Sequence, residues 1–136
     1  MKIISTDKAP AAIGPYSQAV VTGNLVYASG QIPVIPSKGT LAEGDITVQA
    51  EQACKNVGTI LAAAGTSFEK VVKTTCFIAD INDFALISKP FFSVVGFIMS
   101  FLFCVLQYIH YSILRFVFLC NCYNLSELYL VRPRIY

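Results

Sequence analysis

Apolar residues recur at helical spacing in one segment of this chain. Small and aliphatic side chains return every three or four positions between residues 50 and 64, which predicts an amphipathic helix with one buried face. The polar positions between them, among them Gln52 and Asn56, are expected to face solvent. Asp45 is a candidate N-cap because its carboxylate can accept amides of the first turn, and Gly65 is a candidate left-handed cap.

Four shorter segments have the composition of strands. Residues 2–5, 19–21 and 25–29 are short apolar runs, and Thr-Gly-Asn at 22–24 predicts a hairpin with a tight turn between the last two. Residues 71–79 are rich in β-branched side chains, which favour strands. We expect the helix to pack its apolar face on a sheet that contains the third and fourth of these strands.

Two further features complete the first part of the chain. Residues 33–39, with two prolines and a glycine, predict a long loop before the helix. Asp80 and Asp83 are alternative N-caps for a second helix that starts near Phe84. The predicted order is β-β-β-α-β-α, an α+β arrangement, and the pattern breaks off where the second helix should continue.

The composition divides the chain into two unlike parts. Residues 1–86 contain 13 charged residues, 13 alanines and five aromatics, whereas residues 87–136 contain five charged residues, no alanine and 12 aromatics. No Asp, Glu, Lys or Arg occurs between positions 90 and 114. This change predicts an incomplete domain at 1–86 followed by an apolar, helical tail at 87–136.

Three interpretations of this tail are open. In the first interpretation, the tail is foreign sequence joined to the domain by alternative splicing, intron read-through or a frameshift. The loss of alanine and the Phe/Ile/Leu/Tyr bias favour this one. In the second, the tail is a membrane anchor, because residues 91–119 include more than the roughly 20 apolar residues that a span requires. Or it is a helix that folds into the protein in place of missing strands, although such a helix needs apolar cover on every side.

Charge and cysteine content exclude several classes of protein. Ten basic and eight acidic residues give a net charge of +2, too little for an electrostatic nucleic-acid binder. A single histidine excludes metal sites built on several imidazoles, and Cys-Asn-Cys at 120–122 lacks a second cysteine pair, so no metal is expected. Five cysteines and a polar N-terminus favour a reducing compartment, cytoplasmic or alternatively mitochondrial. Cys54 and Cys76 occupy apolar positions and are expected in the core.

Four blocks of the first 86 residues resemble the RidA/YjgF family. They are Ala-Pro-Ala-Ala-Ile-Gly-Pro-Tyr-Ser-Gln-Ala at 9–19, Ala-Ser-Gly-Gln-Ile-Pro at 28–33, Gln-Ala-Cys-Lys-Asn-Val at 52–57, and the stretch 71–85 that ends in Asp-Phe-Ala. Each block alone is weakly specific. All four occur in family order and at near-family spacing, so the resemblance covers residues 2–86, and the last 50 residues do not match.

The resemblance implies a chorismate-mutase-like α+β fold, truncated here, which assembles as a homotrimer with its sites in clefts between subunits. It implies hydrolytic deamination of reactive imines and enamines, such as 2-iminobutanoate and 2-iminopropanoate, to 2-keto acids and ammonia, without cofactor or metal. Loss of late strands disfavours the trimer in this chain. Older family labels name an endoribonuclease or translation inhibitor, so the alternative is a non-catalytic interaction protein, tethered to a membrane through 91–119 or linked to RNA.

Four residues inherit candidate substrate-binding roles from this resemblance. Tyr16, the tyrosine of Gly-Pro-Tyr, is expected to line the cleft. Ser29 and the amide of Gly30, from Ser-Gly-Gln, are expected beside the substrate. Ser88 stands where the family usually has an asparagine.

The two charged groups of the family's chemistry have no counterpart in a matching context. The family's arginine forks onto the substrate carboxylate, and a late strand supplies a glutamate that positions the attacking water. Arg115, Arg132, Arg134 and Glu127 lie in unrelated sequence, and His110 has no acid or nucleophile near it. No catalytic residue is therefore assigned, and we expect this chain to be an impaired deaminase.

Overall fold

The computed structural model describes residues 1–95 and 116–122 of the chain. Within them the chain forms seven strands and two α-helices, together with 3-10 turns at Phe68–Lys70 and Ile81–Asp83. The strands are β1 Lys2–Ile4, β2 Ala19–Thr22, β3 Leu25–Gln31, β4 Val34–Ile35, β5 Thr40–Leu41, β6 Val71–Ile78 and β7 Phe116–Cys122. The helices are α1 Ile46–Ala63 and α2 Phe84–Val95. This α+β content agrees with the sequence-based expectation.

Five strands form one antiparallel sheet in the order β1-β2-β3-β7-β6. The predicted hairpin is present: Thr22 pairs with Leu25, and Gly23 supplies a φ of 55° in the turn between them. Helix α1 packs on β3 and β7, and α2 lies against α1. The sheet therefore has a helical layer over its central strands.

Helix α1 confirms most of its predicted pattern. Ala50, Ala53, Val57, Ile60 and Leu61 are completely buried in the core beneath the sheet. At the start of the helix, the carboxylate of Asp45 accepts the backbone N–H of Val48 at 3.0 Å. At its end, Gly65 has a φ of 80° and its N–H donates to the carbonyl of Ala62, while the N–H of Thr66 reaches Leu61, which is the Schellman arrangement.

Asn56 corrects the predicted polar face of α1. Its side chain is only 1% exposed, although its position was expected to face solvent. The side-chain amide donates to the carbonyls of Ile32 at 3.0 Å and Val34 at 2.9 Å, and its oxygen accepts from Gln52 at 2.8 Å. A buried polar side chain is stable where its donors and acceptor are paired. Asn56 thus fastens the segment after β3 to the helix.

Replacing Asn56 should destabilise the fold by about 2–3 kcal/mol, because Asn56→Ala leaves two partly buried carbonyls without their donor. Lys55→Ala, at the neighbouring exposed position, is the matched control and should change stability by no more than about 0.5 kcal/mol. Urea unfolding followed by circular dichroism measures both. Equal unfolding midpoints for the two variants would contradict the stabilising role assigned to the hydrogen bonds of Asn56.

The segment predicted as a long loop contains a small second sheet. Strands β4 and β5 pair antiparallel, with Val34 opposite Leu41 and Ile35 opposite Thr40. Gly39, with a φ of 68°, lies in the turn between them. Each strand has only two residues, too few for an alternating pattern to register in the sequence.

The second helix begins where it was expected. Phe84 starts α2, and the carboxylate of Asp80 accepts the N–H of Asn82 at 2.9 Å, which caps the 3-10 turn that leads into the helix. The helix then continues through Val95.

The apolar tail is described only in part. Its first residues extend α2 to Val95, and residues 116–122 form β7, a strand where the sequence analysis expected helix. The aromatic and β-branched composition of 116–119 favours a strand. Of the segment 91–119, positions 96–115 lie outside the described residues. Among the residues that are described, no helix combines the length and apolar character that a membrane crossing needs. The domain boundary at 86 stays a prediction.

Candidate active site

Strand β3 carries an irregularity at two of the predicted substrate-binding residues. Ala28 lies opposite Cys120 and Gln31 lies opposite Phe118, so β3 advances by three residues where β7 advances by two. Ser29 and Gly30 therefore form a β-bulge. Burial agrees with this: Val26 and Ala28 face the core, and after the bulge Gln31 faces it again. A bulge re-aims the groups within it, which is why bulges are frequent beside active sites.

The two donors of Ser29, its hydroxyl and its backbone N–H, bind the loop that precedes β2. The hydroxyl donates to the carbonyl of Ser17 at 2.6 Å, and the backbone N–H donates to the carbonyl of Gln18 at 3.0 Å. Because Tyr16 is the next residue along that loop, the bulge and the loop form one structural unit. The structure thus joins Ser29 to residues 17 and 18, which follow Tyr16 along the chain.

Gln18 organises the other side of this loop. Its side chain is 4% exposed, and its oxygen accepts the N–H of Thr6 at 2.6 Å. Its amide group donates to the carbonyls of Thr6 at 3.0 Å, Pro10 at 2.8 Å and Ala9 at 3.4 Å. One buried side chain thereby ties residues 6–10 to the start of β2.

Tyr16 lies at the wall of an open cleft of about 360 Å³. The cleft is lined by residues 3–7 at the end of β1, by Ala11 and Ala12, and by residues 16–18. The ring of Tyr16 is 46% exposed, and its hydroxyl oxygen accepts the N–H of Ile13 at 3.4 Å. A phenol that accepts from the backbone retains its own proton for donation to a bound molecule.

Ser88 occupies a different element from the other three predicted residues. It is half-buried on α2, and its hydroxyl donates to the carbonyl of Ala85 at 3.0 Å, a hydrogen bond within the helix. Its substrate-binding role stays a prediction. Arg115, Arg132, Arg134, Glu127 and His110 lie outside the described residues.

The described part of the chain offers no cluster of three or more His, Cys, Asp or Glu side chains able to hold a metal ion. Cys54 is buried in the core, and desolvation, with a smaller contribution from the charge of Glu51, raises the pKa of its thiol to about 12. This thiol stays protonated at neutral pH and is a packing residue rather than a nucleophile. Cys76 is buried as well, as expected.

Sequence reasoning missed Gln18 and Gln31, the two buried glutamines beside the predicted site. Each stands inside a family-like block, in Tyr-Ser-Gln-Ala and Ser-Gly-Gln, next to a residue that was selected. The signal that could have found them is chemical. A glutamine at a position expected to be buried must pair its amide, and the nearest unpaired groups are loop carbonyls.

Comparisons with known proteins agree with this fold. The family model described as endoribonuclease L-PSP matches residues 6–96. A Mus musculus protein named 2-iminobutanoate/2-iminopropanoate deaminase is 54% identical over 88 residues, which are 65% of this chain and 65% of that protein. The match thus spans under two thirds of that relative's length.

Solved structures are similar over most of the chain. The crystal structure of RidA from the Antarctic bacterium Psychrobacter sp. PAMC 21119 has a TM-score of 0.79 at 35% identity, covering 91% of this chain and all of that one (100%). E. coli TdcF, crystallised with bound serine, has a TM-score of 0.76 at 36% identity over 91% of this chain and 99% of its own. The chain therefore has the fold of these proteins.

Proposed function

We propose, from the premise that this chain belongs to the endoribonuclease L-PSP family, which includes the RidA/YjgF proteins, that the loop of Tyr16 and the bulge at Ser29 and Gly30 together bind reactive 2-imino and 2-enamino acids. The reaction proposed is their hydrolysis to 2-keto acids and ammonia. Residues 1–86 would supply the substrate-binding side of the site, while catalysis by this chain would be impaired. The single observation that carries the proposal is the hydrogen bond from the Ser29 hydroxyl to Ser17, which joins the bulge to the loop of Tyr16.

The hydrogen bonds of Tyr16 and Ser29 suggest how a 2-imino acid held between the loop and the bulge would be oriented. Because the Ser29 hydroxyl donates to Ser17, its oxygen keeps acceptor capacity, which suits the N–H of a protonated imine. The Tyr16 hydroxyl accepts from Ile13 and can donate to the substrate carboxylate. The amide of Gly30 is a second donor for the same carboxylate. The roles given to Tyr16 and Ser29 use each hydroxyl in the sense that its hydrogen bond leaves open.

The chemistry needs little beyond orientation. Water adds to the electrophilic C2 carbon, a proton reaches the nitrogen, and the C–N bond breaks to release ammonia and leave the 2-keto acid. A placed water and a recognised carboxylate are the groups that accelerate this hydrolysis. The family's glutamate and arginine serve those two purposes, and neither has a counterpart in matching sequence. For this reason we infer binding without efficient turnover. Assembly as a trimer stays a prediction.

Binding can be measured directly with 2-oxobutanoate, a stable product-type acid that carries the carboxylate and the C2 oxygen. Saturation-transfer NMR on the full chain should show saturable binding, which Ser29→Ala should weaken about tenfold by removing one hydrogen bond and loosening the loop. Ser67→Ala, at an exposed position whose side chain makes no capping bond, is the matched control and should bind as the unaltered chain does.

Two results would contradict the proposal. One is the absence of 2-oxobutanoate binding, and the other is equal binding by the Ser29 and Ser67 variants. The family description also names an endoribonuclease, so the same samples are incubated with a short single-stranded RNA. Cleavage of the RNA without binding of the acid would favour that class of function instead.

A further inference from the structure

Gln31, the last residue of β3, makes an unusual pair of hydrogen bonds. Its side chain is 4% exposed. Its amide nitrogen donates to the carbonyl of Gly30 at 3.1 Å and to the carbonyl of Ser29 at 3.3 Å. These are the two carbonyls of the bulge. The side chain that follows the bulge therefore folds back and binds the backbone of both bulge residues.

These contacts set the direction of the backbone amide at Gly30. A peptide unit is planar and trans, so the carbonyl of Ser29 and the N–H of Gly30 point in opposite directions. Because the carbonyl of Ser29 is drawn to Gln31, the N–H of Gly30 is turned away from that side chain. Gly30 has no side chain of its own to hold this peptide, and glycine is the most freely rotating residue.

The chemistry of glutamine suits this task. A single NH₂ group has two protons and can satisfy two carbonyls at once. An ionised glutamate has no proton to donate, and a methionine has the length but no donor. Removing the amide would leave two carbonyls of a half-buried bulge without this partner, so the bulge would relax to a different backbone arrangement.

We propose that Gln31 is a positioning residue, which holds the Ser29–Gly30 bulge in one arrangement. In that arrangement the Gly30 N–H donates to the carboxylate of the ligand, and the Ser29 hydroxyl accepts from the imine of the same ligand. This inference rests on the proposed function, because the ligand is the one proposed there. Gln31 itself does not touch the ligand. Its effect passes through the orientation of one peptide unit.

The sequence allows this peptide to be observed alone. Ser29–Gly30 is the only Ser-Gly pair in the chain. Full-length protein labelled with ¹³C′-serine and ¹⁵N-glycine therefore gives one HNCO correlation, which reports the Ser29 carbonyl and the Gly30 amide together. In Gln31→Met the Ser29 ¹³C′ resonance should move upfield, since it loses a hydrogen bond, and the Gly30 amide should shift with it. Gln49→Met, on the half-exposed side of α1, is the control and should leave the peak in place.

A titration with ligand distinguishes failure of this inference from failure of the proposed function. On titration with 2-oxobutanoate, the Gly30 amide of the unaltered chain should shift to saturation, and the Kd in Gln31→Met should rise about tenfold. If the unaltered chain does not bind the acid, the proposed function fails. If it binds and the Gln31 variant binds equally, or if the HNCO peak does not move in that variant, the positioning role fails while the proposed function stands.

Two further measurements test the positioning role in case Gln31→Met does not fold. Gln31→Leu loses both donors and introduces neither a charge nor an acidic proton, so it should reproduce the shifts of Gln31→Met. The unaltered chain, with ¹⁵N in its glutamine side chains, should show a Gln31 amide whose protons exchange slowly with solvent, because they are buried and bonded. Rapid exchange of those protons would overturn the proposal without any variant.

Discussion

A chimera that replaces everything after Ala85 with the corresponding segment of the mouse deaminase should hydrolyse 2-iminopropanoate about 30- to 150-fold faster than the unaltered chain, or more. The unaltered chain should be no faster than buffer. The roughly 30- to 150-fold increase is the part expected from the carboxylate-binding arginine alone, since a charge-assisted pair contributes about 2–3 kcal/mol to transition-state binding. A glutamate that positions water would add to this.

The physical reason lies in what residues 1–86 can supply. In the proposed site, Tyr16, Ser29 and Gly30 would offer neutral hydrogen bonds, whereas an arginine fork binds both oxygens of a carboxylate with a full charge. Neutral donors are adequate to orient a bound acid and inadequate to replace both the charge and the placed water. The difference between chimera and chain should therefore appear in kcat/KM.

The assay follows ammonia released from an imine that an amino-acid oxidase generates in place. Within the chimera, Tyr16→Phe should lower kcat/KM. Tyr27→Phe, in strand β3, is the matched control and should leave kcat/KM unchanged. Full activity in the unaltered chain would contradict our view of residues 87–136. It would mean that this segment supplies its own cation, and Arg115 would be the first residue to replace.

Gln18→Met should destabilise the protein by about 3–4 kcal/mol, the largest effect we expect from a single substitution in the amino-terminal part. Four hydrogen bonds, to Thr6, Ala9 and Pro10, disappear together, at about 1 kcal/mol net for each. Methionine has nearly the same length, so packing changes little and the loss is one of hydrogen bonding. Since small domains are stable by only about 5–15 kcal/mol, this is a large share.

Two measurements distinguish a loosened loop from general unfolding. Urea denaturation gives the change in stability, with Gln49→Met as the control at a half-exposed position. Hydrogen exchange at 20 °C or below, where the variant stays folded, should show the Thr6 amide unprotected while the amides of α1 remain protected. Protection of Thr6 in the variant would show that β1 holds this segment without help from Gln18.

The parts of the fold that the sequence predicted are those determined by local spacing. The buried face of α1, the Asp45 and Gly65 caps and the hairpin around Gly23 each depend on residues within one or two turns of one another. Tyr16, Ser29 and Gly30 were selected through family resemblance. The structure then joined Ser29 to the loop that contains Tyr16, through its hydrogen bonds to residues 17 and 18.

What the sequence did not predict depends on partners that are distant along the chain. Asn56 has the polarity of a surface residue, and only the carbonyls of Ile32 and Val34, more than 20 positions earlier, make its burial favourable. Gln31 likewise acquires its role from a bulge, and the bulge is defined by the register of β3 against β7. Neither periodicity nor composition reports such pairings.

The position of β7 has a consequence for how the chain reaches its native state. Of the strands in the described residues, β7, which separates β3 from β6, is synthesised after the others, and its pairing joins Val26 to Cys122. Contacts of such long sequence separation close slowly, because loop entropy is lost before they form. Until then β3 and β6 each present an unpaired edge next to a finished hairpin and helix. Successful folding is therefore a competition between insertion of β7 and capture of those edges by another molecule.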